Sequence, residues 1–244
     1  MGRVASLLGA PRVIAFGLLA VALGLYYGFH TSLPNTSTWG DVAFLSFVLI
    51  PAVLALVYLG LPLRTARELE LIAVAIAFAI LAVILHEAGL NALSDFAKLG
   101  SMAFAAFWFL NFFEALSWVV LVACIVPWVD AYSVWRGPTN TIVHEHRGVF
   151  ERLSFAFPVP GESGSANLGI PDLLFFALFL AATDRFGLRI RLTWLLMTAS
   201  FGVTIALAVW LDLGGLPALP GLSVAFLLAN GDLLWTRLRR RPRE

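Results

Sequence analysis

Residues 98–135 read KLGSMAFAAFWFLNFFEALSWVVLVACIVPWVDAYSVW, and only Lys98, Glu114 and Asp130 among them carry charge. As one helix this run would reach about 57 Å at 1.5 Å per residue. A bilayer's hydrocarbon core is about 30 Å thick. Asn111 and Glu114 put a polar break near the middle, so the stretch is expected to form two helices joined by a tight turn rather than a single rod. That split fixes the parity of the whole chain.

Working outward, 60% of the 244 residues are hydrophobic and 13% are charged, with a mean hydropathy of +0.90. A soluble domain carries about 25% charged residues, so lipid must solvate much of this chain. In lipid the backbone must pair within closed structures, which leaves helices or barrels. The apolar runs are continuous and do not alternate as barrel strands would. They read as eight helical spans near 13–29, 42–63, 71–87, 98–113, 114–135, 169–184, 191–211 and 217–236. The expected fold class is an all-α, polytopic helical membrane protein. It has an N-terminal part, 1–135, a flexible extramembrane loop, 136–168, and a C-terminal three-helix part, 169–244. The first run lacks a small-residue cleavage site and reads as a retained helix.

Charge supports this parity. Twelve of the sixteen Lys and Arg fall on the side that holds Arg3, Arg64, Arg185 and the arginine-rich tail; Lys98, Arg136, Arg147 and Arg152 fall on the other. Cytoplasmic loops carry the excess of positive charge, so both termini are expected inside. Merging 98–135 into one span would put the tail outside. A single lysine and the absence of glutamine fit an arginine-rich, prokaryotic composition. The formal net charge of +1 gives no pointer to nucleic acid.

Ionisable groups inside spans are costly and so mark function. Asp130 lies near the end of the fifth span, and Asp172 near the start of the sixth, in Gly169-Ile170-Pro171-Asp172. Consecutive antiparallel helices place both at similar depth below the same membrane face. Two carboxylates held close share a proton. The charged member can activate a water and the protonated one can donate to a peptide carbonyl. The last span opens on the same face with Pro217-Ala218-Leu219-Pro220. The prolines there loosen the helix start and leave backbone groups able to pair with an unwound strand.

An aspartate ending one helix, a long loop, Gly-x-x-Asp opening the next and Pro-Ala-Leu opening the last resemble the presenilin and signal peptide peptidase family. The resemblance covers about 114–236. It includes Glu114 and Trp118 before Asp130, and Arg136-Gly137-Pro138 after it. It implies a membrane-embedded aspartyl endopeptidase, with Asp130 and Asp172 catalytic. Gly169, Pro171, Pro217, Ala218 and Leu219 would shape the site. Val129 stands where the family has tyrosine, Pro171 where it has glycine, and the family has nine spans against eight here. The resemblance implies transmembrane peptides or remnant signal peptides as substrates, and no metal or organic cofactor.

A proton- or ion-coupled transporter also uses membrane carboxylates, and an inactive homologue would keep the same pattern. Other motifs are read as bland. His86-Glu87 lacks the second histidine of a zinc-protease helix. His144-Glu145-His146 is loop charge. Gly161-Glu162-Ser163-Gly164 has the form of a rhomboid serine motif, but no histidine follows His146 to serve as base. Asn111 and Glu114 mark a turn, Asn230 and Asp232 can reach water, and Cys124 serves packing.

Overall fold

The computed structural model describes residues 9–136, 154–213 and 215–239. Eight long helical elements lie among them. Helix α1 is Ala10–Phe29. The second, α2, is a continuous span, Thr38–Thr65. It has a wide π turn at Leu45–Leu49 and ends in a 3-10 segment at Leu61–Thr65. There follow α3, Glu68–Glu87, α4, Asn91–Phe109, and α5, Leu116–Arg136. After strands β1, Ser154–Pro158, and β2, Ser165–Gly169, come α6, Ile170–Arg185, α7, Ile190–Trp210, and α8, Leu219–Arg239.

Local chemistry sets these boundaries. Ser37 Oγ accepts from Gly40 N at 3.2 Å and caps α2; the hydroxyl satisfies a helix-start amide that has no carbonyl to reach. Pro51 has no N–H to donate, and the π turn sits just before it, where the regular ladder is already broken. At the end of α3, Gly89 has φ +75°. Its N–H meets His86 O at 3.0 Å, and Leu90 N–H meets Leu85 O at 2.9 Å. These are the paired bonds of a Schellman stop, which needs a residue at ease in the left-handed region. Between α4 and α5 the chain makes a 3-10 turn at Leu110–Phe112, so the break at Asn111–Glu114 is present.

Helices α3 and α4 form the most intimate pair. Ser94 Oγ donates to Ala82 O at 2.8 Å and Ser101 Oγ to Ala75 O at 3.0 Å. Gly100 lies so close to the Phe78 ring that a Cβ would stand 3.1 Å from it. Small residues and interhelical hydroxyl bonds replace the hydrophobic drive that lipid removes. Helix α6 lies at the centre, with Phe176–Thr183 all buried, and Phe179 stacks on Phe226 of α8 at 4.9 Å. Outside, Ile14, Leu18, Phe47, Val83 and Trp128 are more than half exposed, an apolar surface far too large for water. The chain is thus mostly helical, and six helices (α1, α2, α3, α5, α7 and α8) are long and apolar enough to cross a membrane.

Beside the helices there is one small ribbon, in which β1 and β2 pair antiparallel with Phe155 opposite Leu168 and Phe157 opposite Ala166. Three expectations are corrected. The second half of 136–168 is not a flexible loop: Phe155 and Phe157 are buried, at 0% and 1% exposure. The loop expectation for 137–153, with His144, Glu145 and His146, lies outside the described residues. Asn230 does not reach water. It is buried, donating to Thr193 Oγ1 at 2.8 Å and accepting from Arg189 N at 3.0 Å, while Asp232 makes a two-pronged pair with Arg189. Cys124 is exposed rather than packed.

Candidate functional site

Asp130 sits one turn after Pro127, which lies inside α5. That proline leaves the carbonyl four residues before it without its helical donor. The side chains flanking Asp130, Trp128, Val129 and Tyr132, are exposed on the outer surface. Asp130 itself turns toward α8, where its Oδ2 accepts from Leu219 N at 3.1 Å.

This contact explains how α8 begins. The helix starts at Leu219, two residues later than the sequence suggests. Ala218 is buried, and its carbonyl accepts from Leu222 N at 3.1 Å. The first amides of a helix have no partner within it. Leu219 gives its N–H to Asp130, and Pro220 has none to give. A carboxylate from α5 thus closes the N-terminus of α8, where the helix dipole favours negative charge.

Asp172 is the third residue of α6, and Pro171 occupies the preceding first-turn position, where proline's missing N–H is harmless. Its Oδ2 accepts from Gly169 N at 3.1 Å. Gly169 has φ −61°, a conformation open to any residue, so space is what selects glycine here. An added Cβ would stand 3.0 Å from Asp172 Oδ2. Asp172 is half-buried, and its carboxyl interacts electrostatically with Asp130. The expected site residues therefore converge in two linked pieces. Asp130 joins Leu219 directly and lies within electrostatic reach of Asp172, which is held by Gly169. Pro217 is half-buried in the coil before Ala218.

One group of residues was not foreseen. The edge of β1 facing away from β2 is covered by side chains. Tyr26 Oη donates to Pro158 O at 2.7 Å and Tyr27 Oη to Ala156 O at 2.9 Å. Lys98 Nζ donates to Ser154 O at 2.9 Å, and Asp95 Oδ2 accepts from Ala156 N at 3.3 Å. Lys98 and Asp95 are paired at 2.9 Å and both are buried. The sequence signal was available: the one lysine of the chain, three residues after an aspartate on a helix.

This clamp fixes the ribbon that leads into Asp172. Gly161-Glu162-Ser163-Gly164 forms its turn, with Val159 N donating to Gly164 O at 3.1 Å. Gly161, at φ +74°, is pressed onto the chain between α1 and α2. Its N–H meets His30 O at 2.7 Å, and a Cβ would lie 2.7 Å from Leu33 O. The other edge, that of β2, carries the N–H and C=O of Asn167, and no third strand pairs with it among the described residues. The described His, Cys, Asp and Glu residues form no group of three able to hold a metal, and His86-Glu87 closes α3. No family model, no curated protein and no solved structure matches the chain.

Proposed function

We propose that the protein is an intramembrane aspartyl endopeptidase that cuts transmembrane segments or remnant signal peptides, with Asp130 and Asp172 as its catalytic pair. The observation that supports this is one direct contact and one electrostatic coupling linking three separate chain segments. The Asp130 carboxylate lies on the first amide of the Pro217-Ala218-Leu219 helix start and within electrostatic reach of Asp172 at the head of α6.

The chemistry follows from the pair. One carboxylate is charged and takes a proton from a water as that water attacks the peptide carbon; the other, protonated, donates to the carbonyl oxygen. The proton positions belong to the pair rather than to either residue. A helical peptide bond is shielded, so the substrate must first unwind. The outer edge of β2, which pairs with no third strand among the described residues, runs straight into Asp172 and offers backbone groups to an extended segment. In this proposal all eight helices span the membrane of a prokaryotic cell with both termini in the cytoplasm, and the aspartates open outward. Substrates with a cytoplasmic N-terminus, as in signal peptides, suit that orientation.

Capping is the rival role for these aspartates, since each accepts from an amide at a helix start. Asparagine keeps a carbonyl acceptor for the cap and loses only the ionisable proton. The test is cleavage of a tagged single-span signal-peptide substrate by purified protein in lipid, with wild type beside Asp130→Asn and Asp172→Asn. Wild type cuts within the span, and each variant folds but loses about 10²- to 10⁴-fold in rate. Variants that cut as fast as wild type would leave the aspartates as caps alone. Solute-driven proton flux without cleavage would move the same residues to a transporter.

A further inference from the structure

At the end of the bundle away from the aspartates, roughly 18 Å along α6 from Asp172, lies a cavity of about 330 Å³. Four helix ends meet there. Arg12 comes from the first turns of α1, Tyr58, Leu61 and Pro62 from the end of α2, Asp184 from the end of α6, and Ile190 from the start of α7. Asp184 is paired with Arg64, so its charge is already met within the protein. Arg12 is exposed and makes no hydrogen bond or ion pair among the described residues. The cavity is therefore lined by one cation with no partner among the described residues, by Tyr58, Thr65 and the already paired Asp184, and by the apolar Leu61, Pro62 and Ile190.

We propose that this cavity binds a phosphate group, that of an anionic glycerophospholipid, with Arg12 on the phosphate and Leu61, Pro62 and Ile190 against the glycerol and upper acyl chains. Three observations support that ligand. A guanidinium presents several donors suited to phosphate oxygens. The cavity lies at the arginine-rich ends of the helices, beside Arg64 and near Arg185 and Arg189, the level at which lipid headgroups sit. Leu61, Pro62 and Ile190 give the cavity an apolar part, which a free anion would not use. The site does not depend on protease activity.

The test uses the full-length protein in nanodiscs of phosphatidylcholine containing one-fifth phosphatidylglycerol, with native mass spectrometry counting the phosphatidylglycerol kept after release. Wild type, Arg12→Gln and Arg239→Gln are compared. Arg239 lies at the same membrane level and stacks on Trp235, so its loss removes an equal charge elsewhere. Wild type and Arg239→Gln each retain one phosphatidylglycerol, and Arg12→Gln binds it at least about tenfold more weakly. A second arm adds inorganic phosphate to protein in pure phosphatidylcholine and follows the melting temperature. A rise that Arg12→Gln abolishes, without selective lipid retention, would keep the phosphate site and make its source soluble. Equal retention by all three proteins with no phosphate effect, or equal loss from both variants, would overturn the proposal.

Discussion

At Gly169 a missing methyl group decides where a carboxylate points. The backbone there would admit alanine, and the only neighbour in the way is the oxygen that accepts the Gly169 amide. Gly169→Ala must move that oxygen by a few tenths of an ångström while leaving the helix cap in place. A misplacement of 1 Å can cost about 100-fold in rate, so a smaller shift should lower kcat by about tenfold. Substrate KM and melting temperature should hardly change. Kinetics on the signal-peptide substrate check this, and an unchanged kcat would mean that the Gly169 contact does not position Asp172 for chemistry. The same logic explains Pro171. The head of α6 needs no donor at that position, so proline there gives a rigid helix start in which the glycine alone makes room for the aspartate.

The β-ribbon owes its place to groups far away in sequence. Four outward-facing polar groups of β1, Ser154 O, Ala156 N, Ala156 O and Pro158 O, each meet a side chain of α1 or α4. Lys98→Met would leave the buried Asp95 carboxyl without its cation. Breaking one side of a buried pair costs about 3–5 kcal/mol. The variant should melt earlier, and a protease should cut it within 154–169 before the helices open. The double change Asp95→Leu with Lys98→Met removes both charges and should recover most of the lost stability; if it melts as early as the single variant, the ion pair is not what holds the strand. This dependence also explains what could be read in advance. The apolar spans and the break at Asn111 were legible because continuous hydrophobicity and length are local properties. Asp130, Asp172 and Pro217 stood out in the same way, as charges and a proline out of place in such runs. The ribbon was not legible. Phe155 and Phe157 do alternate with smaller residues, but Pro158, Pro160 and the glycines outweigh five residues of pattern. The partners that hold the strand lie at positions 26, 27, 95 and 98. Leu219 as the first helical residue was hidden for the same reason, since its cap comes from α5.

Across the whole molecule, the proposed topology turns on α4 and α6 crossing the bilayer, although neither is among the six helices apolar and long enough by themselves. Helix α6, at 16 residues, reaches only about 24 Å. It is surrounded by protein, however, and a buried helix need not match the lipid. Non-helical backbone is tolerated at membrane depth where protein covers it, and β2 continues α6 toward one face. Contacts tie the helix ends into two levels. At one, Arg185 donates to Leu110 O at 2.6 Å and Asp184 pairs with Arg64, so the ends of α2, α4 and α6 lie together. At the other, β1 joins the end of α1 to the start of α4. Helices alternating between two such levels would give the eight crossings proposed above. Single cysteines placed in a Cys124→Ser background can check this with a membrane-impermeant maleimide on intact cells. Asn91→Cys and Ser163→Cys should label from outside, whereas Arg67→Cys, Glu114→Cys and Arg191→Cys should label only after permeabilisation. Labelling of Glu114→Cys from outside would mean that α4 does not cross, and labelling of Arg191→Cys from outside would say the same of α6. If α4 does not cross, Asp130 and Asp172 still share a face, but it becomes the cytoplasmic one, and the outward-opening site with its substrate orientation fails; if α6 alone does not cross, α8 begins on the face opposite Asp130, and the proposed three-segment site loses its geometric basis.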